Sequence, residues 1–269
     1  MMNMKFRLAF FGALCCVATT TISAQEELDE LAKCVVAGIS EDWDAAYRIC
    51  LPLAEQGNAL AQSSVGELYR QGTGAPKDAA QAARWFRKAA EQGFVFAQSE
   101  LGWMYSNGVG VAKDDAQAVY WYRKAAEQGY ALAQVNLGKM HYSGEGTPRN
   151  YAQAMHWFHK AAEQDDADAQ YSLGVMYKNG EGVARNYAQA VHWCREAAEQ
   201  GHASAQYLLG LMHATGKGTQ RNDTTAYKWF SLSAAQGNKD ARKNLDRLEK
   251  DMSSEQIIEA QKQATDQSP

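Results

Sequence analysis

The stretch AAEQGYALAQVNLGKMHY occupies residues 125–142, and close variants of it occur three more times in the chain. The variants start at Ala89, Ala161 and Ala197. Gly57, Gly93 and Gly129 lie 36 residues apart, as do Gly201 and Gly237. A fixed period in this range indicates stacked repeats, in which each repeat contacts mainly its neighbours.

Each period reads as two helices joined by a turn. In residues 58–93 the first half carries apolar residues at helical spacing, at Ala61, Val65, Leu68 and Tyr69. A glycine-rich break at 72–76 follows. Asp78 with Gln81 three residues later predicts a capping box at the start of a second helix, which ends at Gly93. A hairpin with one apolar side cannot bury that side alone, so we expect it to stack on the next.

The motifs AEQG, AQ, LGxMY and GxGV, with Trp followed by an aromatic residue and KAA in the second helix, resemble the Sel1-like repeats. These are relatives of the tetratricopeptide repeats, whose period is about 34 residues with a different Trp-Leu-Gly-Tyr order. Here the period is 36 and Trp lies in the second helix, which favours the Sel1-like family. The resemblance covers residues 26–248 and implies an all-α fold, a right-handed α-solenoid.

The resemblance also implies a function, although one fold hosts many functions. We expect a non-catalytic scaffold that binds a protein or peptide partner in envelope assembly, signalling or host interaction. A cysteine-rich branch of the family is described as binding β-lactams or peptidoglycan, or as weakly β-lactamase-like, and this is the alternative. The present chain lacks a Cys pair in each repeat and the S-x-x-K motif of serine β-lactamases, so the analogy is poor.

The chain divides into five predicted segments. Residues 1–24 read as a signal peptide, with Lys5 and Arg7 before an apolar run and cleavage near Ala24. Residues 25–57 form a degenerate capping repeat, 58–237 five repeats of 36 residues, and 238–264 capping helices. In the last segment before the tail, Ser253 and Gln256 predict a capping box, and the two isoleucines at 257–258 should cover the last repeat. Residues 265–269 are predicted to be a disordered tail.

Charge and cysteine usage bear on the compartment and on the partners. Removal of residues 1–24 takes away two basic residues and leaves 25 basic against 31 acidic, a net charge of −6. This balance argues against nucleic acid and anionic membranes as partners, and no later run is long enough to span a membrane. We expect a periplasmic or secreted protein. There Cys34 and Cys50 form either a disulfide or a pair of small buried hydrophobic side chains.

No catalytic, metal or cofactor motif is present, so the sequence predicts no catalytic residues, no metal site and no cofactor. His156, His159 and His192 could form a metal site, and a solvated outer face is the favoured interpretation. The acidic residues at 163, 165, 166 and 168 could form a calcium site, but their spacing is not that of a known loop, and Asp166 as a helix N-cap is favoured. Cys194 stands where the other periods have an aromatic residue, and we expect it to be a core substitute and not a nucleophile. A basic residue precedes each second helix, and a local carbonyl partner is favoured over an anion-binding ridge for this column, namely Lys77, Lys113, Arg149, Arg185 and Arg221.

Positions that recur build the scaffold, and two recurring columns predict core packing. The tryptophans at 85, 121, 157, 193 and 229 are expected to be buried. The glycines inside the first helices, at 66, 102, 138, 174 and 210, each cost about 1 kcal/mol relative to alanine. Their recurrence predicts close helix packing, with a Trp as the expected neighbour.

Positions that vary at a fixed place in the period are free to specialise. In the first helices such positions are three or four residues apart and form a stripe beside the buried one, which we call the variable stripe. First helices line the inner surface of related solenoids, so the stripe predicts a protein-binding groove with aromatic anchors. Burial of some of these residues between hairpins is the alternative. The predicted groove residues are Phe96, Glu100, Trp103, Lys139, Tyr171 and Tyr207.

Overall fold

The structure, a computed structural model, describes residues 22–265. Those residues form fourteen helices and no strand. The all-α prediction is therefore confirmed. Most of the predicted signal peptide, residues 1–21, and residues 266–269 of the predicted tail lie outside the described residues. No helix between residues 22 and 265 combines the length and the apolar character needed to cross a bilayer.

The helices follow one another in antiparallel pairs, and most of them are 13 residues long. The helices are α1 Ile22–Ile39, α2 Trp43–Glu55, α3 Ala59–Gln71, α4 Ala79–Glu91, α5 Val95–Asn107, α6 Asp115–Glu127, α7 Ala131–Ser143, α8 Tyr151–Ala162, α9 Ala167–Asn179, α10 Tyr187–Glu199, α11 Ala203–Thr215, α12 Asp223–Ala235, α13 Lys239–Leu248 and α14 Ser254–Thr265.

The described chain falls into two compact units. The N-terminal unit extends to Ala133 and includes residues 145–147, and within it each of α1 to α5 packs against the next helix. The C-terminal unit contains residues 134–144 and the chain from Pro148 onward. Within it each of α8 to α12 packs against the next helix, and α14 packs against α12. Each unit is thus a stack of helical hairpins, as expected for an α-solenoid.

The predicted caps set the limits of each hairpin. Asn58 accepts a hydrogen bond from the backbone N–H of Ala61 at 3.1 Å and starts α3. Gly72 ends this helix in the left-handed conformation, with φ 79°. Asp78 then accepts from the N–H of Gln81 at 3.0 Å and starts α4. In this hairpin a side-chain acceptor at each helix start and a left-handed glycine at the end of α3 satisfy free backbone groups, which fixes where the helices begin and end.

The glutamines of the recurring AEQG and AQ motifs join one hairpin to the next. The buried Gln98 donates to the carbonyl of Ala90 at 3.1 Å and accepts from Gln128 Nε2 at 2.7 Å. Gln128 also donates to the carbonyl of Gly93 at 3.0 Å. Because the buried amide both donates and accepts a hydrogen bond, its replacement would leave polar groups unpaired. The same glutamine pair recurs as Gln62–Gln92, Gln134–Gln164, Gln170–Gln200 and Gln206–Gln236.

The recurring glycine of each first helix packs against the residue that follows the Trp of the second helix, and not against the Trp itself. The expectation of a Trp neighbour is therefore wrong. A Cβ added to Gly138 would lie 2.7 Å from Phe158 Cε1, and one added to Gly210 would lie 2.7 Å from the ring of Phe230. The ring therefore occupies the space that a side chain would need. Trp121, Trp157 and Trp229 are buried, whereas Trp85 and Trp193 are half-buried.

A disulfide between Cys34 and Cys50 joins α1 to α2. Both cysteines are buried within the apolar cluster of the N-terminal cap.

Near the C-terminus, Ser253 and Gln256 form the reciprocal capping box predicted for the start of α14, with hydrogen bonds of 2.9 and 3.3 Å. The expected cover is present for Ile257, which packs against the core cluster of the last helices, and is wrong for Ile258, whose side chain is 65% exposed. Helix α14 also buries two alanines of its next turns.

Asp165 stands where other periods have a glycine, and it adopts the same left-handed conformation, with φ 61° against 90° for Gly129. Asp166 is the N-cap of α9, accepting from the N–H of Ala169 at 3.0 Å. We expect Asp165→Gly to stabilise the chain by up to about 1 kcal/mol, because glycine adopts this conformation more easily. The melting temperature should rise, and Gly129→Asp, the matched reverse change, should lower it. A lower melting temperature for Asp165→Gly would contradict the assignment.

Candidate functional site

In the N-terminal unit the variable stripe runs along α5, where Phe96, Glu100 and Trp103 occupy successive turns. Trp103 is 38% exposed, which is high for so large an apolar ring. Phe96 is half-buried and packs edge-on against Phe86, with ring centroids 6.4 Å apart. Trp103 is therefore the exposed aromatic side chain of this part of the stripe.

Glu100 sits beside a partly buried ion pair on the preceding hairpin. Arg70 Nε lies 2.7 Å from Glu67 Oε2 and 4.0 Å from Glu100 Oε2. Burial raises the pKa of Glu100 to about 7, the charge of Glu67 adds to the rise, and Arg70 opposes it. The carboxyl group thus titrates near neutral pH, so it can donate as well as accept a hydrogen bond there.

In the first full period, the positions of α3 that correspond to the variable stripe are buried. Glu67 and three neighbours on the same helix are all buried, namely Leu60, Ser63 and Ser64. The alternative of burial between hairpins therefore holds for α3. The exposed part of the stripe in this unit begins on α5.

In the C-terminal unit a pocket of about 250 Å³ opens on the variable stripe. Lys139 and Tyr142 of α7 form one side of it, Tyr171 and Val175 of α9 form the other, and Phe158 contributes from α8. An aromatic pocket with few polar groups is typical of a binding site for an apolar side chain.

The predicted residues at the rim of this pocket are held in place by their neighbours. Lys139 Nζ lies 3.3 Å from Asp168 Oδ2, and Asp168 Oδ1 lies 3.3 Å from His202 Nε2. The ring of Tyr171 stacks on His202 with centroids 4.8 Å apart. Tyr207, in contrast, is half-buried against Phe230 at 5.8 Å, so it contributes mainly to core packing.

Sequence reasoning missed Tyr142, whose hydroxyl donates to Glu181 Oε2 at 2.9 Å while its ring lines the pocket. A signal for it existed, because it lies three residues after Lys139 and therefore on the same face of α7.

The column of basic residues that precede the second helices has partners other than the expected backbone carbonyls. Arg221 pairs with Asp223 at 2.9 Å, and Arg149 lies over Tyr151 at 5.5 Å, in each case a side chain two residues later.

His159 and Cys194, which the sequence analysis considered for metal binding and for nucleophilic chemistry, are packed among side chains of the helical stack. His159 packs edge-on against Trp193 at 5.4 Å, and burial lowers its pKa. Cys194 is a buried free cysteine, and burial raises the pKa of its thiol to about 12, so the thiolate is disfavoured. Within residues 22–265 no group of three or more His, Cys, Asp or Glu side chains is arranged to hold a metal ion.

Comparison with known proteins adds the family. The Sel1 repeat family matches five consecutive windows that cover residues 59–94, 95–130, 131–166, 167–202 and 203–238. The chain belongs to the Sel1 repeat family. Sel1 repeat proteins are typically protein-interaction scaffolds. No curated protein matches the chain.

Solved structures of Sel1 repeat proteins are similar to this one. A protective antigen present in uropathogenic Escherichia coli strains, which displays an SLR fold, is 39% identical with a TM-score of 0.74. The match covers 82% of this chain and 48% of the antigen, so the chain spans about half of that protein's length. A Sel1 repeat protein from Oxalobacter formigenes is 36% identical with a TM-score of 0.76, and the match covers 81% of this chain and 86% of that one. The predicted solenoid fold is therefore confirmed.

Proposed function

We propose that this Sel1 repeat protein is an exported scaffold that binds a protein or peptide partner on the variable stripe of its first helices. The observation that carries the proposal is the aromatic pocket at Tyr171 in the C-terminal unit. In the N-terminal unit the same stripe carries the exposed ring of Trp103. Aromatic anchors with pockets beside them are typical of binding hot spots.

Export rests on two observations. The N-terminal segment, residues 1–24, has the charge and the apolar run of a signal peptide. The Cys34–Cys50 disulfide favours an oxidising compartment, because disulfides are rare in the cytosol.

A photo-crosslinking amino acid placed at 103 and at 171 tests the proposal in cells that produce the chain natively. We expect a discrete adduct with one partner at each position, and no adduct from a matched position on an exposed second helix, such as Glu127. The recovered chain should begin at Gln25 and come from the periplasm or the medium. An unprocessed chain inside the cell would contradict export.

For the double variant Trp103→Ala with Tyr171→Ala, the photo-crosslinking amino acid is placed at a third position of the stripe, that of Glu100. We expect the double variant to form no adduct with the partner from this position. Circular dichroism and the melting temperature should stay near those of the wild type, because Trp103 is exposed and Tyr171 is half-buried. Loss of the fold in the double variant would show that the stripe is core. Retained adduct formation would show that the partner uses another face.

A further inference from the structure

A larger cleft, of about 630 Å³, opens in the C-terminal unit beside α9 and α11. Leu208 and Leu211 of α11 line it, and they lie 36 residues after Ser172 and Val175, which line the smaller pocket. The two cavities are thus the same place in consecutive periods. The second differs from the first in its size and in its charge.

Three cations line this cleft, and no acidic residue does. They are Lys178 at the end of α9, Arg185 before α10 and Lys217 after α11. Considering the described residues alone, none of the three forms an ion pair. Arg185 and Lys217 both lie over the ring of Tyr187, at 5.5 and 5.9 Å from its centroid. Three positive charges around one small volume favour a negatively charged ligand.

The preceding period has an uncharged donor and an acceptor at two positions that are lysines in this cleft. One period earlier the Tyr142 hydroxyl donates to the Glu181 carboxylate at 2.9 Å. The residues 36 positions later are Lys178 and Lys217, two ammonium groups where the earlier period has a donor and an acceptor. Two like charges that line one cleft repel each other, and an anion bound in the cleft would offset this repulsion. The chain itself supplies no anion among the residues that line the cleft.

The cleft is also lined by apolar side chains, namely Leu208, Leu211 and Met212. A bare anion would leave these side chains unused, whereas a chain segment with an acidic and an apolar side chain would contact both kinds of lining residue. We propose that this cleft binds a peptide segment of the partner in which Asp or Glu lies next to an apolar residue. The inference rests on the proposed function and names the chemistry of the partner on this part of the stripe.

The test is binding of the purified full chain to an array of hexapeptides that alternate Glu with Leu, Ile, Val or Phe. Matched peptides carry Gln or Lys in place of Glu. We expect signals on the best Glu peptides at least about tenfold above those on their Gln counterparts, which is the effect of one charge-assisted contact of about 1.4 kcal/mol or more. The signals should fall as salt is raised from 50 to 300 mM.

Lys217→Glu supplies the decisive variant, because it restores the kind of pair found one period earlier. It should lower binding to the Glu peptides at least about tenfold while raising the melting temperature by about 1–3 °C, since Lys178 gains a partner. Lys178→Gln should weaken the same binding. The charge-matched control is Lys239→Glu, at an exposed position of α13 outside the cleft. It should change binding less than about twofold.

Equal binding to Glu and Gln peptides, or unchanged binding by Lys217→Glu, would overturn the inference. The crosslinking at positions 103 and 171 does not depend on these lysines. Failure at the cleft with intact crosslinking would therefore discard the acidic peptide and leave the scaffold proposal standing. Failure of the crosslinking with intact peptide binding at the cleft would discard Trp103 and Tyr171 as the contact surface and leave the cleft as the place where the partner binds.

Discussion

Trp157→Ala is expected to lower the free energy of unfolding by about 3–5 kcal/mol, as for other large truncations in a core. Its side chain is 8% exposed, and it stands in a column that recurs in every full period of the chain. Alanine would leave a cavity between α8 and its neighbours that the surrounding helices could fill only partly. The measurement is urea denaturation followed by circular dichroism.

Trp103→Ala is the matched control, since it removes the same side chain from an exposed place on a first helix. We expect Trp103→Ala to lower the free energy of unfolding by less than half as much as Trp157→Ala does. A wild-type denaturation midpoint for Trp157→Ala would show that the recurring Trp column is a surface feature, which would make it a candidate binding surface in its own right.

Removal of the disulfide by Cys34→Ser with Cys50→Ser is expected to cost about 3 kcal/mol in the stability of the N-terminal unit. The two cysteines are 16 residues apart, and a crosslink over a loop of this length restricts the unfolded chain by about that amount. The melting transition of this unit should move down accordingly. Both hydroxyls would also lie in an apolar cluster, which adds to the loss.

Dithiothreitol separates the crosslink from the side-chain change. It should lower the stability of the wild type toward that of the double variant and leave the double variant unchanged. Reduction without any shift in the wild type would mean that the cap does not depend on its crosslink.

Much of the fold was predictable because it depends on contacts close together in the chain. Asn58, Asp78 and Gly72 bond to backbone groups within four residues, so capping residues and glycines mark each helix end in the sequence itself. The repeat then fixes which helix follows which. The neighbour of each first-helix glycine was predicted wrongly because Trp and the residue after it differ by 100° around the helix, and periodicity alone does not say which one faces the glycine.

The candidate site was predictable only in part. Trp103 and Tyr171 were found because they vary at a fixed place in the period, yet the same rule also selected Tyr207, which packs on Phe230. Tyr142 was missed although it lines the pocket. Variation shows that a position is not needed by every repeat, but it does not show whether a particular ring points at water or at the next hairpin.

The sequence by itself therefore determined the repeat, its period, the helix limits and the family, because each is written in short-range pairs that recur. Only the tertiary structure decided which stripe residues are exposed and which cations share a cleft. Lys178 and Lys217 are 39 residues apart, and their shared environment depends on how two hairpins stack. Stacking is set by the volumes of buried side chains across the whole interface, which no local pattern records.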